Sequence, residues 1–588
     1  MQSIFFIIII FCNLLQAKLL HAQTISYEKE WGTFLPNLIM LRALEQDSQG
    51  NIFVMGNFNF SNKGSVYKFS PSGEFLWVRE FDSDSEDIYY ENTALVSTLV
   101  VDGNDDVLVN GITTDSFQYG TPGVFQELNA GQRDGFLTKL SGATGEVIWS
   151  TYFGGPENDF FSGTVNDALT SVQERYGVIS VTDTNEIIWA SVVLGEGYAT
   201  SDAYQQEALS ASFVISKFSE NGQRLWTTYY GANNSKIQSI LIDGDTFYVA
   251  GIVYLDESTS EEVVEYFDTH GNFTFVGESY NFFVSKFDMQ GQRIWSRIFG
   301  GDGWETLQPY SLAKIQEILF IGGYTSSTIG IATAGAFIDN MPAETSHFLM
   351  ALGVNADLHW STYLGGVEFM DIVGVRAGRS DMELGQNEVY VLLKVSNPQS
   401  EYDNYIENPS SFADEGDKLL MKFNDYGFPI WGMYIGISYQ NCYFRNLFSL
   451  TEDGFYYACK VLSDNTQGIA TPGAYNETPA NVGSSSQSFL LKYKEQSMSV
   501  DQLDFCAKAF EIAPNPVHNS TITWRLKDCI IDVEKVKLTI YDTAGRMLFT
   551  STSTDFEGTI DVQGWSAGKY FVTVHLGHAF LIASFLKK

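Results

Sequence analysis

The sequence is short of basic residues, histidine, proline and cysteine, and each shortage closes off a class of protein. Against 71 Asp and Glu stand 34 Lys and Arg, a net charge of −37. A field of that sign repels phosphate backbones and anionic lipid, so nucleic acid and membrane surfaces are excluded as expected partners. Thirteen prolines in 588 residues, beside 52 glycines and 15% aromatics, are not the composition of a disordered or collagen-like chain. The seven histidines offer no evident catalytic triad, and no Gly-x-Ser-x-Gly, His-Glu-x-x-His or phosphate-loop pattern occurs. Carboxylates are so numerous that any chosen pair is expected to be structural.

Long apolar runs are missing as well, with one exception. Residues 4–15, Ile-Phe-Phe-Ile-Ile-Ile-Ile-Phe-Cys-Asn-Leu-Leu, are too few to cross a bilayer core of ~30 Å. With Ala22 before Gln23, residues 1–22 read as a secretory signal peptide cut between those two, although its start lacks the usual Lys or Arg. No transmembrane segment is expected after cleavage. Four cysteines then remain: Cys442, Cys459, Cys506 and Cys529. An even number in an oxidising compartment allows two disulfides, and proximity favours Cys442–Cys459 and Cys506–Cys529. Buried free thiols are the alternative. No Cys/His spacing suits zinc.

What the chain has in quantity is repetition. Val66-Tyr67-Lys68-Phe69 leads through Ser72-Gly73 to Trp77; Phe136-Leu137-Thr138-Lys139-Leu140 leads through Gly145 to Trp149. The unit recurs before Trp226, Trp295, Trp360 and Trp431, as a strand, a Gly or Asn-Ala turn and a second strand. A seventh first strand, Phe489-Leu490-Leu491-Lys492-Tyr493, has no tryptophan strand after it. The missing half, Glu28-Lys29-Glu30-Trp31-Gly32-Thr33-Phe34, stands alone near the N-terminus. Seven first and seven second strands, offset by one, are what a closed ring needs, and closure leaves few exposed sheet edges. Further strands such as Asn51–Gly56 and Thr246–Gly251 lie between the hairpins. The expectation for residues 23–495 is an all-β, seven-bladed β-propeller in which the N-terminal strand completes the last blade. The fixed strand position of the seven tryptophans points to packing between blades.

Trp149-Ser150-Thr151-Tyr152-Phe153-Gly154-Gly155, Trp360–Gly366 and Thr471-Pro472-Gly473-Ala474-Tyr475 resemble the bacterial β-propeller repeat known as SBBP. The resemblance implies a propeller in an extracellular or surface setting, with no particular ligand. The first, fourth and sixth blades depart from the pattern.

A polar linker, 496–506, precedes a different unit. From Ala507 to Lys588 there are 9 basic and 8 acidic residues, a net of +1, against 24 and 63 between residues 23 and 506, a net of −39. Alternating strands separated by Gly turns predict a small C-terminal β-sandwich over 507–588. Its landmarks are Ala513-Pro514-Asn515-Pro516-Val517, Tyr541-Asp542-Thr543-Ala544-Gly545-Arg546, Ser566-Ala567-Gly568-Lys569-Tyr570 and the final Lys587-Lys588. They resemble, in order and spacing, the type A sorting domain of the type IX secretion system. That resemblance implies export through the periplasm and across the outer membrane of a Gram-negative bacterium, with the secretion machinery as partner. Taken singly, the prolines set a turn and Gly545 and Gly568 supply φ > 0.

Within the repeats, Asp102-Gly103-Asn104-Asp105-Asp106 and Asp243-Gly244-Asp245 offer oxygens to Ca²⁺ but lack the twelve-residue EF-hand spacing, so ordinary turns and no cofactor are expected. Trp304, after Gly300-Gly301-Asp302-Gly303, lies outside the repeat strands and is a candidate exposed aromatic. The insertion from Leu255 to Phe275 is expected to lie over one face. The function expected is a binding module for an extracellular ligand such as a glycan or a protein. The alternatives are a carbohydrate-active lyase or hydrolase with its site in the propeller mouth, and a structural envelope component.

Overall fold

The computed structural model describes residues 25–588 apart from the connections 82–93, 160–176, 367–371, 378–387, 396–401, 407–416, 436–446, 462–467, 480–486, 498–509, 527–535 and 542–546 and shorter stretches of other loops. Ala22 and Gln23 lie outside the described residues, as do Cys442, Cys506, Cys529, Asp542, Gly545 and Arg546. The chain divides into two compact units, one of Lys29–Tyr493 and one that contains Lys494–Lys588. Both are all-β; the one helix among the described residues is Glu261–Phe267, inside the long insertion, with Phe267 buried.

In the larger unit the described residues form seven four-stranded antiparallel sheets. The first is Met40–Gln46, Ile52–Asn57, Gly64–Phe69 and Phe75–Phe81, each strand pairing with the next. Five more follow over 94–153, 178–230, 235–299, 305–366 and 372–435. The seventh takes Leu447–Thr451, Gly454–Val461 and Gln487–Ser497 from the end of the unit and Ile25–Leu35 from its beginning. The leading strands touch one another in a closed cycle, the seventh returning to the first. At that return, Gln46 Nε2 donates to Ser449 Oγ and to the Leu450 carbonyl, at 2.6 and 2.8 Å.

Burial follows position within a sheet. Ile52–Asn57 and Gly64–Phe69 are buried throughout, as strands covered on both faces must be. The fourth strand alternates: Trp77 and Phe81 point inward while Leu76, Val78 and Glu80 are exposed. Such an outer strand is an edge, and the chain covers it. The loop between second and third strands runs back along the fourth. Thr121 N donates to the Ser150 carbonyl and Tyr152 N to the Gln126 carbonyl. Thr200 with Thr227, Thr333 with Ser361 and Thr471 with Gly32 repeat the first contact. The Thr-Pro-Gly-Ala-Tyr motif is thus a turn whose flanking backbone caps part of the free edge.

The tryptophans hold neighbouring sheets together. Trp77 Nε1 donates to the Gly142 carbonyl, Trp149 to Glu220, Trp226 to Met289 and Trp295 to Val354, each in the next sheet's turn between third and fourth strands. The turn glycines Gly145, Gly222, Gly291 and Gly427 have φ of 74–79°, and a Cβ on any of them would come within 3 Å of the preceding sheet's indole. Only glycine meets both demands easily. In the fifth sheet Ala356 takes the same turn position at φ 66°.

The smaller unit holds a three-stranded sheet (Phe510–Ala513, Thr521–Leu526, Glu557–Asp561) and a four-stranded one. The latter's order is Met547–Ser553, Val536–Tyr541, Gly568–Leu576, Ala579–Lys587. Side chains from both, including Phe510, Trp524, Ile540, Val572 and Phe585, bury one hydrophobic cluster.

Candidate functional site

Three landmarks of the C-terminal unit, distant in sequence, meet at the edge of its four-stranded sheet. Asn515 grips the terminal strand through both ends of its amide: Oδ1 accepts from Leu586 N at 3.0 Å and Nδ2 donates to the Ser584 carbonyl at 3.1 Å. Val517 N donates to the Leu586 carbonyl, and Lys588 N to the Val517 carbonyl. Gly568 is paired with Lys587. The Lys587 ammonium is spent inside the unit, donating to the Val562 and Trp565 carbonyls. Tyr570 donates to the Ser566 carbonyl at 2.6 Å and stacks on Phe585 at 5.3 Å. Tyr541 lies opposite Phe571 one strand further in. Pro514, Asn515, Leu586 and Lys588 remain exposed. Gly568 does not have the left-handed φ expected of it, and a Cβ there would meet nothing within 4 Å. The backbone conformation therefore does not explain that glycine.

In the larger unit, antiparallel order puts the turns after first and third strands at one end of each sheet, and the longer connections at the other. The short-turn end carries a repeated ion pair that the sequence pattern alone did not reveal. The lysine of each third strand reaches an acid in the turn between first and second strands. Lys68 meets Asp47 at 2.9 Å, Lys139 meets Asp102 at 2.7 Å and Lys217 meets Glu186 at 2.6 Å. Lys422 with Glu388 and Lys492 with Asp453 repeat it. The fifth sheet has Ala351 instead. The spacing of Lys to turn acid was the available signal, but the two lie on strands joined only through the register. The same contacts account for the acidic turns: Asp102 Oδ1 accepts the Asn104 and Asp106 amides while Oδ2 takes Lys139. Asp243 is shared by Lys286 and Lys314. Among the described residues no three His, Cys, Asp or Glu side chains gather in a metal-binding group.

At the opposite end of the fifth sheet, the Gly300–Trp304 loop encloses a buried carboxyl. Glu305 Oε1 accepts from the Thr325 hydroxyl at 2.8 Å and from Ser327 Oγ, and Oε2 faces Gly301 N at 3.4 Å. Burial pushes Glu305 up to about 7, against the pull of those hydrogen bonds. Desolvation lifts its exposed neighbour Asp302, but the Thr328 hydroxyl and the Thr328 and Ile329 amides outweigh it and hold that carboxyl below its ordinary value. A carboxyl near 7 has the acidity of a general acid. Glu305 is nevertheless 0% exposed and both its oxygens are engaged within the fold, so it acts as a pin for the loop. Asp159 repeats the device between the second and third sheets, accepting from Gly155 N at 2.6 Å and Tyr198 OH at 3.0 Å. Trp304 is half-buried against Tyr324 at 5.3 Å, which corrects its expected exposure. The ring packs against the buried cluster of the fourth and fifth sheets.

Cys459 is disulfide-bonded, in a buried strand of the seventh sheet.

Residues 511–588 match the family model of the secretion-system C-terminal sorting domain. The match directs this protein to the cell surface or the extracellular space by the type IX route. No helix among the described residues is long and apolar enough to cross a membrane. No curated protein matches the chain. Among solved structures, PorZ of Porphyromonas gingivalis, a surface component of the type-IX secretion system, is similar at 12% identity and TM-score 0.32. That similarity covers 93% of this chain and 59% of PorZ, so the chain spans less than two thirds of it. The phage phi92 endosialidase is similar at 9% identity and TM-score 0.34, covering 96% and 87%. The Penicillium chrysogenum α-L-arabinanase is similar at 9% and 0.31, covering 68% and 92%. At these scores the architecture stands on strand order alone.

Proposed function

We propose that this protein is a closed, seven-bladed SBBP-type β-propeller with a β-sandwich sorting tail. Exported by the type IX route, it binds an extracellular ligand, a glycan or a protein. The sorting-domain match at 511–588 carries the export half of this reading. The cycle of leading strands and the gathering of the long connections at one end of each sheet support the binding half. Loops on a rigid scaffold are where ligand sites collect.

Two measurements test it in the native bacterium and on the secreted chain. Removing residues 511–588 is expected to leave the protein in the periplasm, and normal extracellular yield would refute the export reading. A glycan array and a polysaccharide-depolymerisation assay on the purified chain separate binding from catalysis. Turnover of any polysaccharide would replace the binding module with an enzyme.

A further inference from the structure

At two junctions between sheets the loop aromatic is covered by a cation of the chain itself. Between second and third sheets, Phe125 packs on Phe218 and the Arg224 guanidinium lies 4.4 Å above its ring. Between third and fourth, Tyr204 packs on Phe287 and Arg293 lies 5.0 Å above it. The residue before each arginine ties the junction shut: Gln223 Nε2 donates to the Gly123 carbonyl and Gln292 Nε2 to the Asp202 carbonyl, the latter at 3.1 Å. Both glutamines and both arginines stand at the same distance before the repeat tryptophan.

The junction between seventh and first sheets keeps the aromatic pair and replaces both the arginine and the glutamine. Tyr475 packs on Phe69 as its counterparts do, but the arginine position is Phe75, which stacks on Tyr475 at 4.3 Å. The glutamine position is Glu74, exposed, which has no N–H to offer the loop carbonyls. The aliphatic residue that precedes the tryptophan in four other repeats (Leu76, Ile148, Leu225, Ile294) is Glu30, its side chain 37% exposed and 3.2 Å from Lys492. The result is an open cleft of about 600 Å³ lined by Glu30, Trp31, Glu74, Phe75, Pro472 and Tyr475. Tyr475 keeps 39% of its surface exposed there.

We infer that this cleft is a binding site for a guanidinium-bearing side chain of a basic peptide segment. Two sister junctions show what such an aromatic platform takes when the chain supplies it, an arginine. Among the described residues no arginine covers this platform, and two carboxylates rim it. An arginine over an aromatic face is attracted by the ring's negative face, and a carboxylate adds directed, charge-assisted hydrogen bonds. The surrounding charge of −39 draws a cationic peptide toward the surface. The inference rests on the binding-module reading and gives it a ligand class and a place.

The test is titration calorimetry of the full secreted chain with a capped tetra-arginine peptide at about 0.15 M salt, where long-range attraction is screened. Saturable binding is expected, weakened about tenfold by Tyr475→Ala, as loss of a cation–π platform would give. Glu74→Gln is expected to weaken it several-fold. Phe75→Arg is expected to abolish it by restoring the internal guanidinium of the sister junctions, and it keeps the test sharp where Tyr475→Ala lowers folding. Glu262→Gln, on the distant helix, is expected to change nothing. Equal affinity for the wild type, Tyr475→Ala and Phe75→Arg would mean diffuse attraction to an acidic surface and would overturn the site. Absence of peptide binding would overturn it too. Either failure leaves glycan binding and export, measured separately, untouched.

Discussion

The indole nitrogen of Trp31 donates to the Pro71 carbonyl at 2.9 Å, across 40 residues of sequence. Beneath it, a Cβ on Gly73, which has φ 86°, would come within 2.8 Å of the ring. This is the contact that Trp149 makes with Glu220 and Gly222, now made by a strand from the start of the chain. Trp31→Ala is expected to cost about 3–5 kcal/mol, as other buried tryptophan truncations do, and to match Trp149→Ala. Thermal or denaturant unfolding of the two variants checks it. A loss at Trp149 with none at Trp31 would show that the first strand is dispensable.

The Lys139–Asp102 pair has both side chains nearly out of solvent, at 7% and 1% exposure. Lys139→Met leaves a buried carboxylate without its cation and is expected to cost about 3–5 kcal/mol. Adding Asp102→Asn removes the uncompensated charge and is expected to recover part of that loss. A double-mutant cycle in urea reads the coupling; additive losses would show that the pair is not coupled.

Glu305 gives stability a pH dependence of definite sign. Its folded value, about 7, lies above its unfolded value of 4.5, so the native state binds the extra proton between the two. The contribution is whole below pH 4.5 and is lost as pH rises toward and through 7, about 3 kcal/mol in all. Glu305→Gln is expected to flatten the stability profile over that window. An unchanged slope would place the titrating group elsewhere.

The two terminal lysines are expected to separate. Lys587→Met removes the donor to the Val562 and Trp565 carbonyls, so the tail should unfold more readily and export should fall. Lys588 is exposed, and Lys588→Ala should leave the melting temperature unchanged. Circular dichroism on the variants, beside extracellular yield, checks both. Equal melting temperatures for Lys587→Met and wild type would show that the ammonium contributes nothing to the fold.

What the sequence alone determined were the features with a local cause. Period-two alternation marks the strands, Gly73 and its counterparts mark the turns, and each of the seven repeat tryptophans marks an outer strand. The surplus first strand at Lys492 and the surplus second strand at Trp31 follow from counting them. The tail's landmarks were recognisable because they are short, ordered motifs. Tertiary structure alone decided the rest. Which acid meets which lysine depends on the register that brings the end of each third strand beside the turn between the first and second. Whether Trp304 is covered depends on Tyr324 reaching it across a loop. That Phe75 stands on Tyr475, 400 residues away, follows only when the first and seventh sheets are side by side. Local patterning fixes which face of a strand is apolar, but the neighbours that a side chain finally meets are set by how the sheets pack.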